Sequence, residues 1–133
     1  MAETLSSMIA SARAAVDEVE PTEAYEAQRR NEIHLVIDVR EPHEFDDAHV
    51  RHSVNIPRGV LELRADAQAP STDATLSADR SKRIVLYCTK GPGARSLLAA
   101  QTLRNMGYEN VEVLGGGLNA WTEAGLPVER SSS

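Results

Sequence analysis

The chain has 133 residues, the size of one domain with a core of its own. At 41% hydrophobic and 26% charged it has an ordinary globular make-up, and with only 4% aromatics the core must be built from Val, Ile, Leu and Ala. A formal net charge of −6 without any Lys/Arg run argues against a nucleic-acid partner, and no apolar stretch reaches the length of a membrane span.

Leu5, Met8, Ile9, Ala12, Val16 and Val19 recur at helical spacing, which predicts an amphipathic helix over 3–19 packed on the rest of the chain. This segment has neither a basic start nor a continuous apolar run, so it does not read as a secretory signal. Pro21 ends it, and a second helix is expected from Thr22 to Asn31. His34 to Val39 is short, apolar and β-branched, hence a buried strand. A helical turn over Glu41 to Asp47, a strand over Ser53 to Ile56 and a helix over Gly59 to Ala67 follow. Gln68 to Ser81, rich in Ser, Thr, Asp and Ala, reads as loop. Arg83 to Tyr87 is the clearest buried strand, and Ala94 to Met106 a strong helix closed by Gly107. A strand over Val111 to Leu114, a turn at Gly115 to Gly117 and a helix over Leu118 to Glu123 complete the pattern. Strands alternating with helices predict an α/β fold, a parallel sheet covered on both faces. Ligands of such sheets sit beyond the carboxyl ends of the strands.

The chain's one cysteine, Cys88, lies at such an end. A single thiol excludes an intramolecular disulfide and suits a reducing compartment, so the expected location is the cytoplasm. Cys88 is followed by Thr89, Lys90, Gly91, Pro92 and Gly93, and then by a helix beginning with Ala94 and Arg95. Amides at a helix start and in a curled Gly-rich loop, with Lys90 and Arg95 nearby, favour the reactive thiolate over the thiol. These features make Cys88 the candidate catalytic residue, and residues 89–95 the candidate substrate-binding loop. A small buried hydrophobe is the competing role for a lone Cys. The spacing is not that of a P-loop.

Together with this loop, three further stretches resemble the rhodanese-like (sulfurtransferase) family in its single-domain form. Ile37 to Glu41 with Glu44-Phe45 is similar to its first segment. Ala48-His49-Val50 through Val54-Asn55-Ile56-Pro57 is similar to its second, with Ala48 in place of the usual Gly and Arg51-His52 in place of the usual Pro-Gly. Gly116 to Trp121 with Gly125 to Val128 resembles its closing segment. The resemblance implies a mostly parallel five-stranded sheet flanked by helices on both faces, here with an extra N-terminal helix. The corresponding organisation is a helix at 1–20, a domain at 21–129 and a flexible tail at 130–133.

It also implies a thiosulfate sulfurtransferase. A sulfane sulfur passes from a donor such as thiosulfate to Cys88, giving a persulfide, and on to cyanide or a thiol, with a sulfur-accepting protein as a further candidate acceptor. No cofactor is called for. The loop is similar to that of the thiosulfate-using branch, with Pro92 removing one amide and Gly93 standing where many single-domain relatives carry Arg. Two other readings stay open: a sulfur-carrier or interaction module with little turnover alone, and a phosphatase or arsenate reductase. The spacing to Arg95 is one residue too long for the Cys-x5-Arg pattern of the latter.

Asp38, Arg40 and Arg58 are candidates either for the pocket or for structural roles, and Glu44 is placed at the surface or near the pocket mouth. His43, His49 and His52 do not form a zinc spacing, so no metal is expected. Trp121 is expected in the core. A monomer or weak dimer is anticipated.

Overall fold

The structure is a computed structural model that describes residues 2–91 and 93–131. From the N-terminus the elements are α1 (Leu5–Ala15), β1 (Asp17–Val19), α2 (Pro21–Arg29), β2 (Leu35–Asp38), α3 (Pro42–Asp47), β3 (His49–Val50) and β4 (Val54–Asn55). A 3-10 turn at Arg58–Val60 leads into α4 (Leu61–Ala65). Then come α5 (Ala74–Ser77), β5 (Ile84–Tyr87), α6 (Ala94–Asn105), β6 (Val111–Leu114), α7 (Gly117–Glu123) and β7 (Val128–Glu129).

Five strands form one parallel sheet in the order β1-β6-β5-β2-β4. The apolar strand β5 lies at its centre, with all four residues buried. Side chains alternate across the sheet. Ile84 and Leu86 therefore join the core under α1, α4, α5 and α6, and Val85 and Tyr87 join the core under α2 and α7. Burying each such aliphatic side chain contributes roughly 1.5–3 kcal/mol. Trp121 lies in the second core at 2% exposure, and its indole N–H donates to Pro127 O at 2.8 Å.

The N-terminal helix is shorter than its periodicity predicts. Thr4 caps it, accepting from Ser7 N, and it ends at Ala15. Asp17–Val19 instead pairs with Glu112–Leu114 as an edge strand. Val16 and Val19 are buried as helical spacing suggests, but they face opposite sides of the sheet. Within the stretch read as loop, α5 forms because the Asp73 carboxylate accepts from Thr75 N at the helix start. A second, antiparallel sheet of β3 and β7 was not expected; two-residue strands carry no readable period.

Arg130 donates to Asp47 O at 2.9 Å and Ser131 to Asp46 O at 3.0 Å, so the start of the expected tail is docked. Ser132 and Ser133, the rest of that tail, lie outside the described residues, as do Met1 and Pro92. Among the described residues no helix is long and apolar enough to cross a membrane.

Candidate active site

The alternation that sends Ile84 and Leu86 toward α6 sends the next side chain in phase, Cys88, the same way. Cys88 is 4% exposed at the carboxyl end of the central strand. Its thiol donates to Ser96 Oγ at 3.4 Å and approaches Lys90 O at 3.9 Å. The Ser96 hydroxyl donates in turn to Gly93 O at 3.0 Å. Gly93 occupies the N-cap of α6 at φ +72°, where a Cβ would stand 2.9 Å from Ser96 Oγ and 3.6 Å from the Cys88 sulfur. A side chain here is opposed both by the left-handed backbone and by the space the thiol needs.

The loop is held from behind by α7. Leu118 N donates to Cys88 O and Asn119 N to Thr89 O, each at 2.9 Å. This contact requires Gly117, at φ +62°, because a Cβ would lie 2.5 Å from Cys88 O. The Gly115 to Gly117 turn is therefore part of the thiol's support.

In front of the sulfur is a hollow of about 240 Å³, lined by Cys88, Thr89, Lys90, Gly91, Gly93 and, from the first turn of α6, Ala94 and Arg95. Among the described residues, no acceptor takes the amides of Thr89, Lys90 or Gly91. Amides without an acceptor beside a helix start favour an anion. At the rim, Arg95 makes a two-pronged pair with Glu44 of α3, Nη1–Oε1 at 2.8 Å and Nη2–Oε2 at 3.3 Å, and Nη2 also donates to Thr89 Oγ1 at 3.3 Å.

The Arg95 hydrogen bonds, helped by Glu41 N and working against burial, hold the Glu44 carboxyl at about 2, below its ordinary 4.5. The same pairing raises Arg95. Because the folded-state value is the lower one, the pair's stabilisation is complete above pH 4.5 and is lost as pH falls toward about 2. Arg95 is 43% exposed, so solvent screens the pair and Glu44→Gln is expected to cost no more than about 1 kcal/mol. In urea titrations that difference from the parent protein should be constant above pH 4.5 and close across the acid window; a difference that widens with acid would contradict the assignment.

The remaining candidates lie outside this hollow. Asp38 is fully buried and takes Arg40 in a fork, with Nε–Oδ1 at 3.0 Å and Nη2–Oδ2 at 2.8 Å. Arg40 Nη2 also donates to Ala48 O at 2.6 Å and Glu44 O at 3.3 Å, fixing the end of α3. Asn55 donates to Asp38 O and Arg40 O, both at 3.0 Å. The Asp38–Arg40 pair thus pins the helix that carries Glu44. Arg58 turns instead toward the groove between α1 and α6, bonding Glu62 and Thr102 Oγ1 at 2.9 Å each. Pro92 is outside the described residues.

Of the histidines, His49 stacks on Phe45 and shares a hydrogen bond with Phe45 O. His52 holds φ +68° where the resembling family has Gly. Among the described residues no group of ligands suits a metal. Ser96 and Gly117 were missed from sequence. A Ser in the first turn, on the helix face that is otherwise buried and apolar, was the available signal for the first.

A buried thiol at the carboxyl end of the middle strand of a parallel sheet, joined by a short glycine-containing loop to a helix start, defines an α/β protein organised around its cysteine. Residues 20–124 match the family described as Rhodanese-like domain, and the chain belongs to that family. A solved structure from Rhodopseudomonas palustris, of a protein of unknown function described as a possible tyrosine phosphatase, superposes with a TM-score of 0.86 at 30% identity, covering 97% of this chain and 96% of that one. An uncharacterised protein of Synechocystis is 34% identical over 105 residues, 79% of this chain and 52% of that protein. The chain thus spans about half the length of that relative. Thiosulfate sulfurtransferase 16, chloroplastic, of Arabidopsis thaliana is 30% identical over 98 residues, 72% of this chain and 80% of that protein.

Proposed function

We propose that the chain is a sulfurtransferase that carries a sulfane sulfur on Cys88. The observation that carries this reading is the Cys88 sulfur in a small hollow lined by its own loop, Thr89 to Gly91 with Gly93 and Ala94, and holding two cations, Lys90 and Arg95. In the first step the Cys88 thiolate attacks the outer sulfur of a donor such as thiosulfate. The donor S–S bond breaks, sulfite leaves with the electron pair, and Cys88 becomes a persulfide. In the second step an acceptor nucleophile attacks the terminal persulfide sulfur. Cyanide leaves as thiocyanate, a thiol as a new persulfide, and the Cys88 thiolate returns. The loop amides hold the negative terminal sulfur between the two steps. A thiol on a protein partner fits the same second step.

The Arabidopsis relative's name supports thiosulfate as donor. A phosphatase reading, which the Rhodopseudomonas description raises, is less well supported. The sixth residue after Cys88 is Ala94, and the guanidinium one position later is engaged by Glu44.

The test is an intact mass after incubation with thiosulfate. One added sulfur, removed by cyanide, is expected; an unchanged mass with thiosulfate and with a persulfide donor overturns the proposal. Lys90, exposed on the loop, supplies a point charge for the compact sulfonate end of thiosulfate. Lys90→Ser should lower kcat/KM for thiosulfate about three- to tenfold more than for 3-mercaptopyruvate, the range for a partly screened charge contact. Equal losses on both donors would remove Lys90 from donor selection.

A further inference from the structure

Arg95 lines the hollow beside the thiol, and its pairing with Glu44 joins two elements distant in sequence, α3 and α6. Arg95 is the only guanidinium lining that hollow among the described residues. Both of its terminal nitrogens are turned to the rim, one to Glu44 alone and the other to Glu44 and Thr89. Glu44 is itself held in place. Its Oε1 accepts from Glu41 N at 3.0 Å in a capping box, and the helix beneath it is fixed by Arg40. The carboxylate is therefore held in place against Arg95, and it cancels one of the two positive charges lining the hollow. Lys90, by contrast, has no carboxylate within 4 Å among the described residues.

We propose that Glu44 makes the pocket selective by charge: by neutralising Arg95 it favours sulfur donors that bring at most one net negative charge, alkyl persulfides among them, over compact dianions such as thiosulfate. This inference rests on the sulfur-transfer reading of Cys88 and names the donor class for it. An alkyl persulfide follows the same chemistry. The Cys88 thiolate attacks its outer sulfur, the donor S–S bond breaks, and the thiol part leaves as a thiolate. The leaving thiolate carries one negative charge where sulfite carries two, so it asks less of Arg95. Thiosulfate remains usable through Lys90 and the amides, but it enters against the field of Glu44.

The experiment compares alkylation of Cys88 by iodoacetate, an anion, with alkylation by iodoacetamide, its neutral counterpart. Both react with the same thiolate and lose the same leaving group, so the ratio of rates cancels any change in thiolate fraction and reports the charge of the pocket. Glu44→Gln keeps the size of the side chain and an oxygen for the Glu41 cap while removing the charge. It is expected to raise the iodoacetate-to-iodoacetamide ratio about fivefold at low salt, the order for one part-screened charge, with the gain shrinking as ionic strength rises. Adding Arg95→Gln should return the ratio to the parent value. A ratio unmoved by Glu44→Gln, or a gain that survives without Arg95, overturns the proposal.

Sulfur loading from thiosulfate, read by intact mass, should accelerate in Glu44→Gln in step with the ratio. Loading that fails in every variant, with thiosulfate and with an alkyl persulfide alike, while the ratio shifts as stated would sink the sulfur-transfer reading and leave Glu44 as a charge selector for the thiol. Loading that proceeds at an unchanged rate would sink the selector and leave sulfur transfer in place.

Discussion

Cys88→Ser is expected to fold like the parent protein and to take up no sulfur at all. The chain has one cysteine, so an added sulfur on the intact mass has a single protein thiol to report on. The substitution is a mild one for the fold. A hydroxyl at this position keeps a donor for Ser96 Oγ, now 3.4 Å from the sulfur, and loses one polarisable atom at 4% exposure. The expected cost is about 1 kcal/mol, within the usual range for a small buried change. The chemistry is another matter, because an alkoxide is inaccessible near neutral pH and the S–S bond of a persulfide cannot form on oxygen. The checks are mass spectrometry after thiosulfate, cyanide-dependent thiocyanate formation, and a melting curve beside the parent's. Thiocyanate produced by the serine variant at the parent rate would end the assignment of Cys88.

Asp38→Ala is expected to be the most damaging change for stability away from the thiol, at about 3–5 kcal/mol, because it leaves a buried guanidinium without its counter-charge. Asp38 is 0% exposed and Arg40 5%, and three of the carboxylate's contacts are side-chain bonds from Arg40 between 2.8 and 3.2 Å. The fourth is Arg40 N, at 2.9 Å, so the backbone loses a partner as well. A cycle separates the effects. Removing both charges, as Asp38→Ala with Arg40→Met, should destabilise less than Asp38→Ala alone, since no stranded cation remains. Urea unfolding measures both. A double variant weaker than the single would mean that the Arg40 bonds to Ala48 O and Glu44 O, rather than its charge, dominate.

The alternation of helix and strand, the central place of Arg83 to Tyr87 and the exposed logic of the Cys88 loop were all legible from local pattern. Each rests on composition and period within a dozen residues. What was not legible was decided by partners far along the chain. Asp17–Val19 continues a helical stripe in sequence, and only pairing with β6 makes it a strand. Glu44 reads as an acid at the surface or near the pocket mouth, and its partner Arg95 comes to it from 51 positions away. Gly117 reads as one of three turn glycines, and its distinct demand comes from the Cys88 carbonyl 2.5 Å from where its Cβ would be. Arg58 was open between the pocket and a structural place at a helix start, and Glu62, one helical turn on, with Thr102 of α6 gives it the second.

The way α7 grips the Cys88 loop also bears on how the protein comes into being. The sheet strands β2, β4 and β5 leave the ribosome well before Leu118 and Asn119, whose amides hold the carbonyls of Cys88 and Thr89. During synthesis the thiol therefore precedes its own support, and the loop cannot take its final shape until α7 has emerged. Edge strand β1 waits in the same way, made first and paired only when β6 arrives. The pairing of Asp17 with Glu112 is the kind of long-range contact that slows folding. A nascent or truncated chain that stops short of Leu118 thus carries an unsheltered cysteine, and reactivity at that sulfur gives a direct timer for the completion of the fold.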